Sequence, residues 1–326
     1  MAERMAITRG LVLGKFMPFH RGHMHLIETA ARQVDQLTVL VCSIKAEPIP
    51  GALRYGWVKE QYPNIRVLHV TDENPQVPEE HRFFWDIWVN TIRRNCPDGV
   101  DVFFSSEDYG DKLSQHLGCK HVLVDKERIT VPISATKIRS NPKEHWDYIP
   151  EPVRPYYCKR VVLTGPESTG KSVLAQKLAD HFNTVCVEEY GRTYCEEHGM
   201  DLKPLDFAHI AGGQLLLEDE AARKADAVLF CDTDLLVTQV WAEIFFNYCP
   251  PWIRWASHQR QYDLFLLLKP DIPWVNDGTR AFEEVRESQW LRLREELESR
   301  NMPYVEISGN FGERLEQAVL AVENIL

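Results

Sequence analysis

The chain has 326 residues, of which 44% are hydrophobic and 26% charged, and its formal net charge is -11. This length suffices for two domains with a full core each, whereas the acidic balance excludes a protein that coats nucleic acid, because phosphate backbones require basic surface. Residues 1–9 have no apolar signal core and no apolar run reaches membrane-spanning length, so we expect no membrane insertion. The eight cysteines form no C-x-x-C pair, which favours reduced thiols in a cytoplasmic protein.

The first half of the chain alternates short apolar strands with amphipathic helices. Strands are predicted at residues 10–14, 37–42, 65–70, 100–104 and 121–124, and helices at residues 24–34, 53–62, 80–95 and 111–117. This alternation predicts an α/β fold with a doubly wound parallel sheet, which binds ligands at the carboxyl ends of its strands.

A histidine-containing turn follows the first predicted strand. Residues 14–23 read G-K-F-M-P-F-H-R-G-H and lead directly into a helix. The spacing places His20 and His23 near one face of the helix start, where two imidazoles and the helix N-terminus suit a triphosphate. Gly22 permits close approach of a ligand to the backbone. The alternative for so short a motif is a pair of surface histidines beside a turn.

Two later loops of the first half carry polar residues where strands end. Residues 105–110 read S-S-E-D-Y-G, and residues 133–139 read I-S-A-T-K-I-R. Ser134 is placed as the N-cap of a short helix whose N-terminus is open to phosphate. After these loops, residues 146–157 are predicted to form a packed connection between a first domain at residues 1–145 and a second at residues 158–326.

A phosphate-binding loop opens the second domain. A predicted strand at residues 160–164, the sequence G-P-E-S-T-G-K-S at residues 165–172 and a predicted helix follow one another, which is the context that a P-loop requires. Lys171 can reach the β- and γ-phosphates of ATP, and the Ser172 hydroxyl can ligate Mg²⁺. The residues predicted to contact the nucleotide here are Gly165, Glu167, Ser168, Thr169, Gly170, Lys171 and Ser172.

Carboxylates follow two later predicted strands of the second domain. Glu189 stands after the strand at residues 184–187, expected beside the P-loop strand, where P-loop nucleoside kinases often place the base that accepts the hydroxyl proton. Its alternative is a helix-capping or surface acid. The apolar run at residues 227–231 ends in Asp232 and Asp234. One of these would hold Mg²⁺ and the other would bind ribose hydroxyls. We place the metal at Ser172 and Asp232, although the sequence alone does not choose between the aspartates.

The order of these motifs resembles the NadR family. The H-x-G-H turn and the I-S-A-T-K-I-R loop are similar to those of nucleotidyltransferases with H-x-G-H and I-S-S-T-x-x-R motifs. Joined to S-S-E-D-Y-G and a following P-loop kinase, they look like bifunctional nicotinamide-mononucleotide adenylyltransferases and ribosylnicotinamide kinases. The sequence departs at Ala135, where the wider superfamily often has serine. We also expect no helix-turn-helix domain of the kind found in members that repress transcription.

For the first domain, the resemblance implies that the phosphate of nicotinamide mononucleotide attacks the α-phosphorus of ATP, giving NAD and pyrophosphate. Catalysis would then consist of positioning and charge stabilisation. His20 and His23 would stabilise the developing charge, and Lys15 and Arg139 would hold the β- and γ-phosphates. The remaining residues expected to contact the nucleotide are Gly14, Phe16, Gly22, Ser134 and Thr136. An aromatic face attracts a pyridinium cation, and Trp85 and Trp88 are the candidates, with core packing as their alternative.

For the second domain, the resemblance implies phosphorylation of nicotinamide riboside by ATP. Residues 270–280 are polar and proline-rich and lie where such kinases place a lid. Within this segment, Trp274 could stack on the nicotinamide ring, Asp277 could bind ribose and Arg280 could meet the transferring phosphate.

Two other functions stay open at this point. The same folds could act on another phosphorylated small molecule, because the tryptophans fit any flat base. The chain could also be a nucleotide-sensing regulator that binds DNA or a transporter, although the acidic balance counts against DNA. Whether the chain forms a homo-oligomer is not decided by its sequence.

Overall fold

A computed structural model of the chain describes residues 7–274 and 285–326. The chain divides into two compact units, unit 1 at Met1–Val153 and unit 2 at Arg154–Leu326. The division lies within the predicted connection at residues 146–157. On the unit 1 side, the 3₁₀ turn Trp146–Tyr148 is followed by buried apolar side chains, whereas unit 2 begins with a short helix.

The described part of unit 1 is a five-stranded parallel sheet with helices between its strands. The strands are β1 (Arg9–Gly14), β2 (Gln36–Cys42), β3 (Arg66–Val70), β4 (Val102–Ser105) and β5 (Lys120–Leu123). The helices are α1 (Arg21–Ala31), α2 (Gly51–Gln61), α3 (Phe84–Asn95), α4 (Tyr109–Leu117) and α5 (Ala135–Ser140). The strand order is β3-β2-β1-β4-β5, and every neighbouring pair is parallel. The order reverses between β1 and β4, which creates a crevice at their carboxyl ends.

The local sequence explains where these elements begin. After Arg9, β1 is apolar because both faces of the strand are covered, and Leu11 and Val12 are fully buried. The first helix begins at Arg21, earlier than the apolar run at residues 24–34 predicts, because the His20 side chain caps it by accepting from the backbone N–H groups of Gly22 and His23.

The described part of unit 2 is a second five-stranded parallel sheet. Its strands are β6 (Lys159–Thr164), β7 (Cys186–Val187), β8 (Val228–Asp232), β9 (Leu264–Leu268) and β10 (Tyr304–Ile307). Its helices are α6 (Arg154–Tyr157), α7 (Lys171–His181), α8 (Tyr190–His198), α9 (Pro204–Lys224), α10 (Leu235–Phe246), α11 (Pro251–Gln259), α12 (Arg286–Ser299) and α13 (Phe311–Glu323). The predicted class of two doubly wound α/β domains is confirmed.

The strand order of unit 2 corrects one expectation. The order is β10-β9-β6-β8-β7, so the P-loop strand β6 lies between β9 and β8. β7, the strand before Glu189, pairs with β8 at the edge of the sheet and does not lie beside β6. It has only two residues and little apolar surface to bury, which agrees with an edge position. Along the described ranges, no helix is long and apolar enough to cross a membrane.

Candidate active sites

Unit 1 has a cavity of about 880 Å³ at the carboxyl ends of β1 and β4. Sequence positions more than 100 residues apart meet there because parallel strands end at one edge of the sheet. The cavity is lined by every residue that the sequence predicted for the first site: Gly14, Lys15, Phe16, His20, Gly22, His23, Trp85, Trp88, Ser134, Thr136 and Arg139.

The two histidines of the H-x-G-H turn lie face to face. Their ring centroids are 3.7 Å apart. Nδ1 of His20 accepts from the Gly22 N–H at 3.1 Å, so the neutral ring carries its proton on Nε2. A Cβ atom at Gly22 would stand 3.0 Å from the His20 ring, which explains the need for glycine between the two histidines.

Both histidines are neutral at physiological pH. Burial, helped by the charge of Arg128, lowers the pKa of His20 to about 3. The pKa of His23 also lies well below its usual value, through burial first and then through the charges of His20 and Arg128. The histidines can therefore donate hydrogen bonds to a phosphate but do not bring a permanent positive charge to the cavity.

Arg128 is a cavity residue that the sequence analysis missed. It is exposed, lines the cavity and has a φ of 51°. Its loop is folded around the carboxylate of Asp125, which accepts from the backbone N–H groups of Ile129, Thr130 and Val131 at 2.9 to 3.0 Å. The signal in the sequence is a basic residue between the fifth strand and the I-S-A-T-K-I-R loop, but only the turn directs it toward the histidines.

Lys15 is held by a buried network. Its Nζ lies 3.0 Å from Oε1 of Glu47. Arg54, fully buried, donates to the other carboxylate oxygen of Glu47 and to the backbone oxygens of Lys15, Cys42 and Ile49. Burial alone would raise the pKa of Glu47, but the hydrogen bonds from Lys15, the Ile44 N–H and Arg54 outweigh it, and the pKa is lowered. Glu47 is therefore an anion that positions Lys15 at the cavity.

Arg139 joins the second loop of the motif to the first. Its guanidinium donates to the backbone oxygen of Met17 and, at 3.3 Å, to Oγ1 of Thr136. Ser134 caps α5 as predicted, since its Oγ accepts from the Lys137 N–H at 3.3 Å. Together these contacts bring the H-x-G-H turn and the I-S-A-T-K-I-R loop to one side of the cavity.

Trp85 and Trp88 differ in the side chains and backbone groups that contact them. The ring of Trp85 stacks on His116 at a centroid distance of 5.7 Å, and Nζ of Lys112 lies 5.2 Å from the same ring. Trp88 is anchored at its polar end, because Nε1 donates to the Pro75 oxygen at 3.0 Å. Both tryptophans pack against the core of unit 1, so each is partly a core residue and partly a cavity wall.

Unit 2 has a smaller cavity, of about 180 Å³, beside the P-loop. Two glycines shape the loop. Gly165 has a φ of 145°, and a Cβ atom there would lie 2.7 Å from the Leu268 oxygen, while Gly170 has a φ of 84° and precedes α7. The predicted residues that line this cavity are Gly165, Glu167, Ser168, Thr169, Gly170, Lys171, Ser172 and Glu189.

The side chain of Lys171 curls over the loop. Its Nζ donates to the oxygens of Gly165 at 3.0 Å and Pro166 at 2.9 Å. Two arginines also donate to backbone oxygens of the same loop: Arg314, which the sequence did not assign, and Arg286, which was expected on a solvated helix face or in a lid. Arg314, buried, donates to the Thr169 oxygen at 2.9 Å, and Arg286 donates to the Ser168 oxygen at 3.3 Å. The loop is thus fixed before any nucleotide binds.

Three carboxylates near the P-loop, the half-buried Glu189 and the buried Asp232 and Asp234, have different surroundings. Burial raises the pKa of Glu189, against the opposing charges of Lys171 and Arg192. Burial likewise raises the pKa of Asp232, which interacts with Lys171 and hydrogen-bonds Ser172 and whose buried Oδ1 has no hydrogen-bond partner. Burial raises the pKa of Asp234 to about 7. Asp234 caps α10, since its Oδ1 accepts from the Val237 N–H at 3.2 Å, and this use counts against the prediction that it binds the acceptor.

Of the three predicted lid residues, the structure describes Trp274 alone. Trp274 is half-buried after β9 and is not among the residues that line the cavity. Asp277 and Arg280 lie outside the described residues. The wall opposite the P-loop comes instead from α8, α9 and α10, for which the sequence analysis had no prediction. Its apolar members are Met200, Leu202, Phe207, Ile210, Val237, Trp241 and Phe245.

Comparisons with known proteins agree with this division. A family model described as Cytidylyltransferase-like matches residues 11–141, and one described as AAA domain matches residues 160–314. The chain is 35% identical to the Trifunctional NAD biosynthesis/regulator protein NadR of Escherichia coli (strain K12), over 93% of this chain and 80% of that protein. The chain belongs to the NadR family. Each matched segment encloses one of the two cavities, so the NadR pattern of two joined domains accounts for their order along the chain.

Two NadR crystal structures are similar to this chain over nearly its whole length. One is described as a complex with NR and the other as a complex with NAD and AMP-PNP. Each has a TM-score of 0.82 and 25% sequence identity, and covers 98% of this chain and 96% of the compared chain. The resemblance to the NadR family that the motifs predicted is therefore confirmed.

Proposed function

We propose that this NadR-family chain is a bifunctional enzyme of NAD synthesis. Unit 2 phosphorylates nicotinamide riboside with ATP, and unit 1 joins the resulting nicotinamide mononucleotide to AMP from a second ATP, giving NAD and pyrophosphate. The observation that carries the proposal is that each unit assembles a nucleotide motif around a cavity of its own. The ligands named for the two NadR structures, NR, NAD and AMP-PNP, support the choice of substrates.

In unit 1, the nucleophile is the phosphate of nicotinamide mononucleotide. Its oxygen forms a bond to the α-phosphorus of ATP while the bond from that phosphorus to the bridging oxygen of pyrophosphate breaks. A phosphate is already anionic at neutral pH, so no protein base is required. His20 donates from Nε2, with His23 beside it, to the oxygens that gain charge, and Lys15, Arg128 and Arg139 attract the leaving pyrophosphate. The low pKa of His20 and His23 suits this use, because a neutral imidazole N–H still donates a hydrogen bond.

For the pyridinium ring of the mononucleotide, Trp88 is the better stacking partner. Trp85 already stacks on His116 and has the ammonium group of Lys112 near its ring, so a second cation there would be repelled. Trp88 lines the same cavity and is held by its bond to Pro75. An aromatic face without a resident cation attracts the pyridinium more strongly.

In unit 2, the nucleophile is a hydroxyl of nicotinamide riboside. Its oxygen bonds to the γ-phosphorus of ATP, ADP leaves, and the hydroxyl proton moves to Glu189. A raised pKa brings this carboxylate closer to the working pH, which makes it a better proton acceptor. Lys171, at the P-loop carbonyls, is placed to move onto the transferring phosphoryl group.

The residues beside Lys171 fit a magnesium ion. Asp232 has a buried oxygen without a hydrogen-bond partner and bonds the Ser172 hydroxyl, and a carboxylate plus a P-loop hydroxyl is the donor set that Mg²⁺ takes beside phosphates. Within residues 7–274 and 285–326 there is no cluster of three or more His, Cys, Asp or Glu side chains that could hold a metal. When bound, Mg²⁺ neutralises charge on the β- and γ-phosphates.

The direct test is turnover by the purified chain. With ATP and Mg²⁺, nicotinamide riboside should give nicotinamide mononucleotide, and nicotinamide mononucleotide should give NAD and pyrophosphate. A chain that bound these compounds without converting either would be a regulator, and one that converted other acceptors far faster would be an enzyme of the same fold with another substrate.

The eight free cysteines support a cytoplasmic location.

A further inference from the structure

A buried amide in the wall of the unit 2 cavity has a donor that the proposed chemistry does not use. Gln214, on α9, is 1% exposed and lines the cavity. Its Oε1 accepts from the Tyr190 N–H at 3.0 Å. Its Nε2 is buried and has no hydrogen-bond partner among the described residues. Buried amide donors are nearly always paired in native proteins, so an unpaired one beside a cavity points to a ligand.

The orientation of this amide is fixed by the fold. Tyr190 is the first residue of α8, and its N–H is one of the helix-terminal donors that need an acceptor. Only the oxygen of Gln214 can fill that role, so the NH₂ group is left on the other side. Gly213 permits the approach, because a Cβ atom there would lie 2.1 Å from the Tyr190 ring. Gln214 therefore offers donors alone to anything that enters the cavity.

The surroundings of Gln214 indicate which part of the acceptor it meets. Phe207, Ile210 and Gln214 are spaced three and four residues apart and so share one face of α9. Trp241 and Phe245, from α10, line the same cavity. A slot with aromatic walls and a donor suits a flat ring that carries a carbonyl oxygen. Ribose hydroxyls are better served by carboxylates, and a carboxylate lines this cavity at Glu189.

We propose that the Gln214 amide donates to the carboxamide oxygen of the nicotinamide ring, and that this contact selects the acceptor nucleoside of unit 2. The inference rests on the proposed function, since it requires nicotinamide riboside to be phosphorylated there. Gln214 is thus a specificity residue that binds the ring, while Glu189, one residue before Tyr190, acts on the hydroxyl. The Gln214 side chain couples ring binding to the position of Glu189, because its oxygen accepts from the first N–H of α8 and its nitrogen donates to the substrate.

The test compares two acceptors on the full chain. Nicotinamide riboside has the carbonyl, and 3-methylpyridinium riboside is a similar flat cation without it. In the native protein, kcat/KM should favour nicotinamide riboside by about 10- to 100-fold, because the analogue leaves the amide donor unpaired. In Gln214→Glu, an oxygen still accepts from the Tyr190 N–H but the donors are gone. The preference should fall to within about threefold of unity, through loss of activity on nicotinamide riboside.

The ratio of the two acceptors is the decisive readout. An added charge near Glu189, or a small change of fold, lowers both activities together and leaves the ratio unchanged. Gln214→Met, which is neutral and removes the acceptor as well as the donors, should show the same collapse of the ratio. Gln261→Glu makes the same charge change at an exposed position of unit 2 and should keep the native ratio. The thermal unfolding of each variant, compared with that of the native chain, reports whether unit 2 is folded.

Two results would overturn the inference while leaving the proposed function intact. One is a Gln214→Glu protein with native kcat/KM for nicotinamide riboside, which would mean that Gln214 only caps α8. The other is an equal loss for both acceptors, which would move the contact to the ribose or to the backbone of α8. Failure of the native protein to phosphorylate nicotinamide riboside at all would instead contradict the proposed function.

Discussion

The candidate sites of the two units shift the pKa values of different kinds of side chain. In unit 1, two histidines whose pKa values are lowered stand among Lys15, Arg128 and Arg139, and Glu47, one of the carboxylates that line the cavity, contacts Lys15 and Arg54. In unit 2, Lys171 and Arg192 stand near Glu189 and Asp232, carboxylates whose pKa values are raised. Burial is the first cause in both cavities: it lowers the pKa values of the histidines in unit 1 and raises the pKa values of the carboxylates in unit 2.

The difference follows from the nucleophile that each cavity would serve. A phosphate nucleophile is already an anion, so its site needs donors and cations and no base. A hydroxyl nucleophile must lose a proton, so its site needs a buried carboxylate that can accept one. The comparison teaches that two nucleotide sites of one chain can share a parallel-sheet edge and still differ in acid–base design.

The largest expected effect is that one substitution in each unit removes the activity of that unit alone. Lys171→Ala should lower phosphorylation of nicotinamide riboside roughly 10³-fold and leave adenylyl transfer unchanged, because the positive charge on the transferring phosphoryl group is lost. His23→Ala should do the reverse. Steady-state assays of both reactions on each variant measure this. If either substitution abolished both reactions in a folded protein, the two sites would not be independent.

Glu189→Gln sharpens the assignment of the base. The amide keeps the shape of the side chain but cannot accept a proton, so kinase turnover should fall on the order of 10²-fold. The binding of ATP, measured by calorimetry, and the adenylyl-transfer reaction should change little. Turnover within a few-fold of native would move the base to the turn that contains Asp232.

Substitution of the two aspartates after β8 should affect the Mg²⁺ dependence of the kinase reaction differently. Asp232→Asn should raise the Mg²⁺ concentration needed for half-maximal kinase activity about 10- to 100-fold, because its carboxylate lies at the P-loop hydroxyl. Asp234→Asn should stay within a few-fold of native, since asparagine also caps a helix. Equal Mg²⁺ dependence in the two variants would contradict the placement of the metal.

In unit 1, substitution of Trp88 should weaken the binding of nicotinamide mononucleotide more than substitution of Trp85 does. Trp88→Ala should raise the KM for nicotinamide mononucleotide roughly 10-fold through loss of the cation–π contact, with Trp88→Phe intermediate. Trp85→Ala, which removes a comparable core contact, is the matched control and should affect thermal stability more than KM. The reverse order would make Trp85 the stacking residue.

The smallest expected effect concerns pH and is an absence of change in unit 1. Because the pKa of His20 is lowered to about 3, its imidazole should show no titration between pH 8 and 5 in NMR spectra assigned with a His20→Asn variant. Kinase kcat/KM should instead fall as the pH drops through the raised pKa of Glu189, since only the deprotonated carboxylate accepts a proton. A His20 resonance that titrates near the usual value of 6.5 would contradict the neutral-donor role.

Both candidate sites could be predicted in large part because most of their residues lie in short contiguous motifs. The H-x-G-H turn and the P-loop each carry a strand, a turn and a helix start within a few residues, and the structure places them as predicted. Arg128 could not be found in that way, because a positive-φ turn held by Asp125 directs it to the histidines. The role of Asp234 as a helix cap could not be predicted either, because the sequence pattern of a capping aspartate and that of a ligand-binding aspartate are the same at this position.

Strand and helix periodicity and short glycine-containing turns are local properties, so the sequence alone predicted the two α/β domains, their order and the candidate phosphate-binding residues. Only the tertiary structure decided which strands are neighbours, with β7 at the sheet edge and Glu189 still beside the P-loop cavity. It also decided the far wall of that cavity, where Gln214 lies. Those features depend on how α8, α9 and α10 pack, and packing joins residues whose separation along the chain leaves no periodic signal.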